Sequence, residues 1–158
     1  MKESMKAKGF YTIQAVDEDG CIVWERHIEN TLTVISQKIR SAMLMGQANG
    51  YTFDDLDIKY IGFGTGTTPA SPLDTKLQTE ALRKQITKKQ VISDGIVQTV
   101  VSLAPLEGNF GIQEIGVFCG PNATTEFNTG ILLSRVVTSI PKNTNLTLNI
   151  VRNDVTTI

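Results

Sequence analysis

The chain has 158 residues, a formal net charge of −1 and 20% charged residues. This length suits one domain, which on folding buries about 68–70% of the surface of the unfolded chain. The near-neutral charge excludes a general attraction to nucleic acid or to an anionic membrane, and it leaves little repulsion between copies. We therefore expect a single domain over residues 1–158 and no nucleic-acid or membrane partner.

Cys21 and Cys119 are the two cysteines, and they show none of the paired Cys or Cys/His spacings of a zinc site. We expect two buried free thiols, although spacing alone leaves a disulfide open, and we expect no metal or cofactor. The first nine residues are polar and lack the apolar stretch of a signal peptide. The expected place of synthesis and folding is therefore a cytoplasm.

The first predicted unit is a hairpin. Residues 10–16 and 21–28 have strand composition, and "DEDG" at residues 17–20 supplies a tight reversal. Trp24 lies in a strand with an apolar face, which favours a core position. His27 belongs to the polar face, which favours the surface over a catalytic role.

Residues 32–45 are predicted to form the principal helix. Leu32, Ile35, Ile39 and Ala42 recur at steps of three and four, which is typical of an amphipathic helix. Gly46 follows as a helix-ending residue.

Strands are predicted over most of the remaining chain. They comprise residues 58–63, 83–92, 96–103, 112–119, 131–140 and 145–152. The turn "SDG" at residues 93–95 is expected to pair the second of these strands with the third. Many short strands with one helix predict a mainly β fold, an antiparallel β-sandwich with one principal α-helix.

The stretch "GFGTGTTPASP" raises the possibility of a phosphate site. A dinucleotide-binding loop needs G-x-G-x-x-G leading directly into a helix, and a P-loop ends in G-K-[S/T]. Here the spacing is G-x-G-x-G, and a Pro-bearing segment follows. Glycines that allow a bulge or close backbone packing are the better interpretation.

Other motifs give no catalytic site. No G-x-S-x-G elbow accompanies the single histidine, and "VDEDG" lacks the distant glutamate of an EF-hand. The basic run "RKQITKKQ" is predicted to be a solvated strand edge, because its charges alternate between faces. We therefore expect a protein without enzymatic activity.

Two charged residues lie inside apolar strands. Glu114 is in "IQEIGVF" and Arg135 is in "ILLSRVV". Because a charge at such a position usually needs a partner, we expect Glu114 to form a structural ion pair with Arg135 or with Arg83.

An ordered series of segments resembles the tail-fibre or tail-collar structural proteins of tailed bacteriophages. The segments are "ENTLTVISQKIRSAML", "IKYIGFGTGTTPASPLDTKLQTEALRK", "IQEIGVF", "TGILLSRVV" and "LTLNIVRND", and together they span about residues 28–154. The resemblance implies that one group of residues shapes a loop and its anchor in an architectural role. The group is Gly62, Gly64, Thr65, Gly66, Asp74, Thr75, Glu80 and Arg83.

The resemblance also implies a place in a virion, at the tail, baseplate or neck, after synthesis in the host cytoplasm. Larger proteins of this type continue into a shaft and tip, whereas this sequence stops at Ile158. A short adaptor or decorating subunit is the expectation, with other virion structural proteins as partners and with self-assembly into a homo-oligomer. The N-terminal hairpin, about residues 8–28, is outside the resemblance and is a candidate arm that contacts neighbours. The alternative is a host-surface glycan-binding β-sandwich module.

Overall fold

The structure is a computed structural model that describes residues 6–46 and 50–157. Ten strands are present in this part of the chain. They are β1 (Lys6–Val16), β2 (Ile22–Glu29), β3 (Thr31–Leu32), β4 (Ile58–Gly64), β5 (Glu80–Gln85), β6 (Lys88–Ser93), β7 (Ile96–Leu103), β8 (Ile112–Cys119), β9 (Ile131–Ile140) and β10 (Thr147–Thr157). One α-helix, α1 (Val34–Leu44), and a short 3-10 helix (Phe53–Leu56) complete the elements.

The strands form two five-stranded antiparallel sheets packed face to face. Sheet A has the order β2-β1-β10-β7-β6, and sheet B has the order β3-β9-β8-β4-β5. The mainly β sandwich with one principal helix, as expected from the sequence, is confirmed. The single-domain expectation also covers residues 1–5, 47–49 and 158, which lie outside the described residues.

The core lies between the sheets and follows strand alternation. Sheet A contributes alternate residues such as Ile13, Leu103 and Ile150, and sheet B contributes residues such as Phe63 and Ile115; all five are fully buried. Because side chains on successive residues point to opposite faces, the residues between these ones lie on the outer faces. The outer face of sheet B carries the site described below.

The N-terminal hairpin is part of the sandwich. β1 lies between β2 and β10, and its residues Tyr11, Ile13 and Ala15 are fully buried. β2 forms the outer edge of sheet A. The hairpin therefore belongs to this chain's own core along β1, and β2 is its edge strand.

Helix α1 begins two residues later than predicted and is capped by Thr33. The Ser36 N–H donates to Thr33 Oγ1 at 3.3 Å, and the Thr33 hydroxyl in turn donates to the Leu132 carbonyl at 2.6 Å. At the other end, Gly46 takes a left-handed φ of 65°, a conformation that suits glycine. In the described part of the chain, neither helix has the length and apolar character needed to cross a membrane.

The expected single strand over residues 83–92 is wrong. The chain leaves sheet B after β5 and enters sheet A as β6, with Ile86 buried at the corner and its N–H donating to the Lys59 carbonyl at 2.7 Å. β6 does pair with β7 through the predicted turn. An apolar residue flanked by polar ones fits a continuous strand as well as a corner, so local pattern could not separate the two.

Candidate contact loop and its buried ion-pair anchors

The segment between β4 and β5, residues 65–79, is hereafter the 65–79 loop. It folds back over the outer face of sheet B. Leu77 is fully buried there in a small apolar cluster with Phe118 and Leu132. Near the middle of the loop, the Pro72 carbonyl accepts from the Val34 N–H at the start of α1 at 2.7 Å. The loop is therefore packed against sheet B at Leu77 and bonded to the start of α1 at Pro72.

The three alternating glycines make room for this packing. A Cβ on Gly62 would lie 2.5 Å from Glu80 Oε1, and one on Gly64 would lie 2.2 Å from the Thr79 carbonyl oxygen. A Cβ on Gly66 would lie 2.4 Å from a side-chain carbon of the loop. Gly64 is needed because the backbone at the end of the loop lies against it, and Gly62 and Gly66 leave room for the side chains of Glu80 and Gln78. The G-x-G-x-G spacing thus serves close packing, as the sequence favoured.

Gly116 on β8 has the same function one strand away. A Cβ there would lie 2.7 Å from Leu77 Cδ2 and 2.9 Å from Leu132 Cδ1. Gly116 was not among the predicted site residues, although "EIGVF" places a glycine inside a strand. A glycine at such a position indicates close approach of another part of the protein.

Glu114 on β8 binds the backbone at both ends of the loop. Its carboxylate, which is fully buried, accepts hydrogen bonds from the N–H groups of Gly66 at 3.1 Å, Gln78 at 3.0 Å and Thr79 at 2.7 Å. Arg135 Nε donates to the same carboxylate at 2.8 Å. Burial alone would raise the pKa of the Glu114 carboxyl, but the backbone donors and the guanidinium hold it below its ordinary value.

Arg135 extends this anchor to the middle of the loop. Its side chain is 2% exposed, and besides Glu114 it binds Asp74 Oδ2 at 3.0 Å and the Thr68 carbonyl at 2.9 Å. Asp74 also accepts from the Ser71 N–H at 2.9 Å. The structure therefore brings together Glu114 and Arg135, which the sequence paired, and adds Asp74 from the predicted loop set.

Glu80 and Arg83 form a second buried ion pair at the start of β5. Arg83 Nε and Nη2 donate to the two Glu80 oxygens at 2.7 and 3.0 Å, and the guanidinium stacks 4.1 Å from the centre of the Phe118 ring. The side chain of Arg83 is 2% exposed and that of Glu80 is fully buried. Arg83 therefore departs from the solvated edge predicted for "RKQITKKQ", because a carboxylate and an aromatic ring on its own sheet face enclose it.

Arg83 also fixes a neighbouring turn, residues 120–130. Its Nη1 donates to the carbonyls of Thr124 at 2.9 Å and Thr129 at 3.0 Å. Asn128 in this turn has a φ of 55° and accepts from the Leu77 N–H at 2.9 Å, while its own N–H donates to Glu80. Asn128 was not among the predicted site residues, although asparagine is enriched among non-glycine residues with a left-handed backbone.

Thr65 and Thr75 complete the predicted loop set. The Thr65 N–H donates to the Thr79 carbonyl at 3.0 Å, which closes the base of the loop. Thr75 is exposed and lies outside the anchors described above. The structure thus places all members of the predicted set on or beside one loop, with Thr75 at its surface.

A second polar cluster, which the sequence analysis missed, lies between the sheets. Arg152 on β10 is fully buried and donates to Ser134 Oγ at 2.8 Å, to the Tyr11 hydroxyl at 3.3 Å and to both oxygens of Asp154 at 2.6 and 3.0 Å. Burial raises the pKa of Tyr11, although Arg152 opposes that shift. Arg152 lies in an apolar strand as Arg135 does, so the same signal could have found it.

The single histidine and the cysteines lie away from the loop. His27 is exposed, with Nε2 2.8 Å from Glu25 Oε1. Both cysteines are free, and burial raises the pKa of the Cys119 thiol to about 12. Cys21 is exposed beside the hairpin turn, so the expectation of two buried thiols is wrong for this residue. Among the described residues, no three His, Cys, Asp or Glu side chains are grouped to hold a metal ion.

The comparisons with known proteins give no relative. No family model matches the chain, and neither a curated protein nor a solved structure matches it.

Proposed function

We propose that this protein is a non-enzymatic structural component of a bacteriophage or phage-derived particle. In this proposal it is an adaptor or decorating subunit of the tail, baseplate or collar, made in the host cytoplasm and carried on the virion. Its partners would be other virion structural proteins and further copies of itself. The observation that carries the proposal is the 65–79 loop, an exposed loop held rigid by two buried ion pairs.

The loop presents a stiff outer surface. Thr67, Thr68, Pro69, Pro72 and Leu73 are exposed, and the side of the loop that faces the protein is fixed by the anchors described above. A segment that is already ordered loses little conformational entropy when it docks, and its prolines reduce that loss further. Such a surface suits permanent assembly against a neighbouring subunit.

Leu73 is the natural centre of this contact. It is 77% exposed at the part of the loop nearest the start of α1. An apolar side chain on a rigid support is the type of residue that fills a pocket on a partner. Burying it fully would contribute roughly 2 kcal/mol to assembly.

Trp24 favours this proposal over the glycan-binding alternative. A sugar-binding platform needs an exposed aromatic ring, whereas Trp24 is half-buried and packs against the sandwich core. The Arg26 guanidinium lies 5.4 Å from the centre of its ring.

The test is complementation of a producing strain that lacks the gene. Particles purified from cells that express the wild-type protein should contain it, and particles from cells that express Leu73→Glu should lack it or fail to assemble. Leu106→Glu is the matched control, because Leu106 is 84% exposed in a different loop. Absence of the wild-type protein from purified particles would overturn the proposal, and equal incorporation of the two variants would overturn the role of the loop.

A further inference from the structure

A cavity of about 790 Å³ lies beside α1, away from the 65–79 loop. Helix α1 lines one part of the cavity, and strands β6 and β7 line another. Its volume is within the range of about 300–1,000 Å³ that is typical of small-molecule sites. The cavity is therefore large enough for an organic ligand, and its lining indicates the chemistry of that ligand.

The walls of the cavity are mainly aliphatic. The large apolar side chains that line it come from Leu, Ile, Val and Met. Ile58 and Leu133 are buried members of the sandwich core, so the cavity adjoins the core on that side. Leu44 on α1 and Val91 on β6 also line it, and they are 75% and 73% exposed. Such walls would bury an alkyl chain through the hydrophobic effect.

Three polar residues of α1 line the cavity as well. Gln37 is three residues before Arg40 and four before Ser41, so the three lie on one face of the helix. Burial raises the pKa of the Cys119 thiol to about 12, and the charges of Arg152 and Arg40 oppose that rise. Because Cys119 is fully buried, this effect places the charge of Arg40 near the core.

Arg40 gives the lining an uncompensated positive charge. The two carboxylates that line the cavity are both paired, since Asp57 binds Lys89 and Asp154 binds Arg152 at 2.6 and 3.0 Å. None of the ion pairs within residues 6–46 and 50–157 includes Arg40. The charge of the lining is therefore complementary to one anionic group.

We propose that this cavity binds a single-chain aliphatic carboxylate. The alkyl chain would lie along the aliphatic walls, and the carboxylate would accept hydrogen bonds from the Arg40 guanidinium. A guanidinium binds a carboxylate through two parallel hydrogen bonds, which would fix the orientation of the ligand. Gln37 and Ser41 would supply further donors beside Arg40. This inference goes beyond the proposed function and holds whether or not the chain belongs to a particle.

The charge of the ligand tests the role of Arg40. By isothermal titration calorimetry below the micellar concentration, dodecanoate should bind at one site per chain and about tenfold more tightly than dodecyltrimethylammonium. Arg40→Gln should weaken the binding of dodecanoate about tenfold and leave that of uncharged dodecanol unchanged. Equal affinities for the anionic and the cationic ligand, or a dodecanoate affinity that Arg40→Gln does not change, would overturn the proposal.

Lys38→Gln is the matched control for Arg40→Gln. Lys38 carries the same charge on the same helix, but it is exposed and lies outside the lining of this cavity. Its replacement should leave the affinity for dodecanoate unchanged. Equal weakening by the two variants would show a general effect of net charge and would overturn the role of Arg40.

The length of the alkyl chain tests the aliphatic walls. From octanoate to dodecanoate, the affinity should rise roughly two- to fourfold for each added methylene, because each one buries further apolar surface. Leu44→Gln, at an exposed position, should weaken dodecanoate and dodecanol alike. Circular dichroism would establish that the variants and the liganded protein are folded. An affinity that does not depend on chain length would overturn the proposal.

Two further results would exclude this ligand. Wild-type protein that does not bind dodecanoate would show that the cavity is not a site for an aliphatic carboxylate. Sedimentation equilibrium would detect the other occupant, a second copy of the chain. If copies associate and dodecanoate separates them, the cavity is a contact between copies, and the proposal is overturned.

Discussion

Glu114 and Arg135 meet at 2.8 Å between Nε and Oε2 on the outer face of sheet B, where both side chains are almost fully buried. Their remaining hydrogen bonds go to the 65–79 loop rather than to other strands. The ion pair therefore holds a surface loop against sheet B. Removing either partner would leave a buried charge and several backbone groups without their bonds.

Glu114→Ala should lower the free energy of unfolding by about 3–5 kcal/mol, because it leaves the Arg135 guanidinium buried without its carboxylate. Urea denaturation followed by circular dichroism measures the loss. Glu18→Ala, at an exposed position in the hairpin turn, should change stability by less than about 0.5 kcal/mol. Equal stabilities for the two variants would contradict an anchoring role for the pair.

Acid should destabilise the protein through Glu114. Its pKa is lower in the folded protein than its ordinary value, so its contribution is present above the pKa of the unfolded state, about 4.3. That contribution is lost as the pH falls through the folded-state pKa. Melting temperatures measured between neutral and strongly acidic pH should fall less steeply for Glu114→Gln than for wild type.

Glu107→Gln is the comparison for this pH dependence. Hydrogen bonds from Lys84 lower the pKa of Glu107 as well, but its side chain is 32% exposed, whereas that of Glu114 is fully buried. Glu107→Gln should therefore change the fall of the melting temperature at acidic pH less than Glu114→Gln does. If the melting temperatures of wild type and Glu114→Gln fall equally at acidic pH, Glu114 is not the cause of the pH dependence.

Arg83→Lys should lower the free energy of unfolding by roughly 2 kcal/mol although it keeps the charge. Lysine cannot reproduce the planar two-point bond to Glu80 or the stacking on Phe118. Arg40→Lys, at a half-buried position on α1, is the matched control and should have little effect. Denaturation curves that coincide for the two variants would mean that the guanidinium geometry at position 83 is unimportant.

Gly64→Ala should displace the base of the 65–79 loop, because the added methyl group would collide with the Thr79 carbonyl oxygen. We expect a loss of about 1–3 kcal/mol and faster proteolytic cleavage within the loop. Gly62→Ala should cost less, since its nearest contact is a side-chain oxygen of Glu80 rather than backbone. Cleavage of both variants at the wild-type rate would contradict close packing of the loop.

Most of the strands could be predicted from the sequence, from runs and alternation of apolar residues between turn residues. β8 and β9 have the bounds predicted from sequence, since both are buried and end at clear turn residues. The division of residues 83–92 between two sheets was not predictable, because the corner at Ile86 depends on which sheet each half joins. The local sequence pattern indicates burial and periodicity, but it does not identify the strand with which a segment pairs.

The candidate site was predictable in part. Glu114 and Arg135 stood out as charges within apolar strands, and the same signal is present at Arg152, which was not among the predicted site residues. Asn128 gave only the weak signal of an asparagine in a turn. Its role depends on a contact between two loops that are about 50 residues apart in the chain. A local sequence pattern does not predict such a contact.

Immunogold electron microscopy of particles from the producing strain is the direct test of the proposed place in a phage-like particle. With an antibody raised against this chain, we expect gold at one fixed position, at the tail, baseplate or neck. Particles dissociated before labelling control for a hidden epitope. Absence of the protein from intact and dissociated particles alike, despite its abundance in the lysate, would contradict a structural role on the particle.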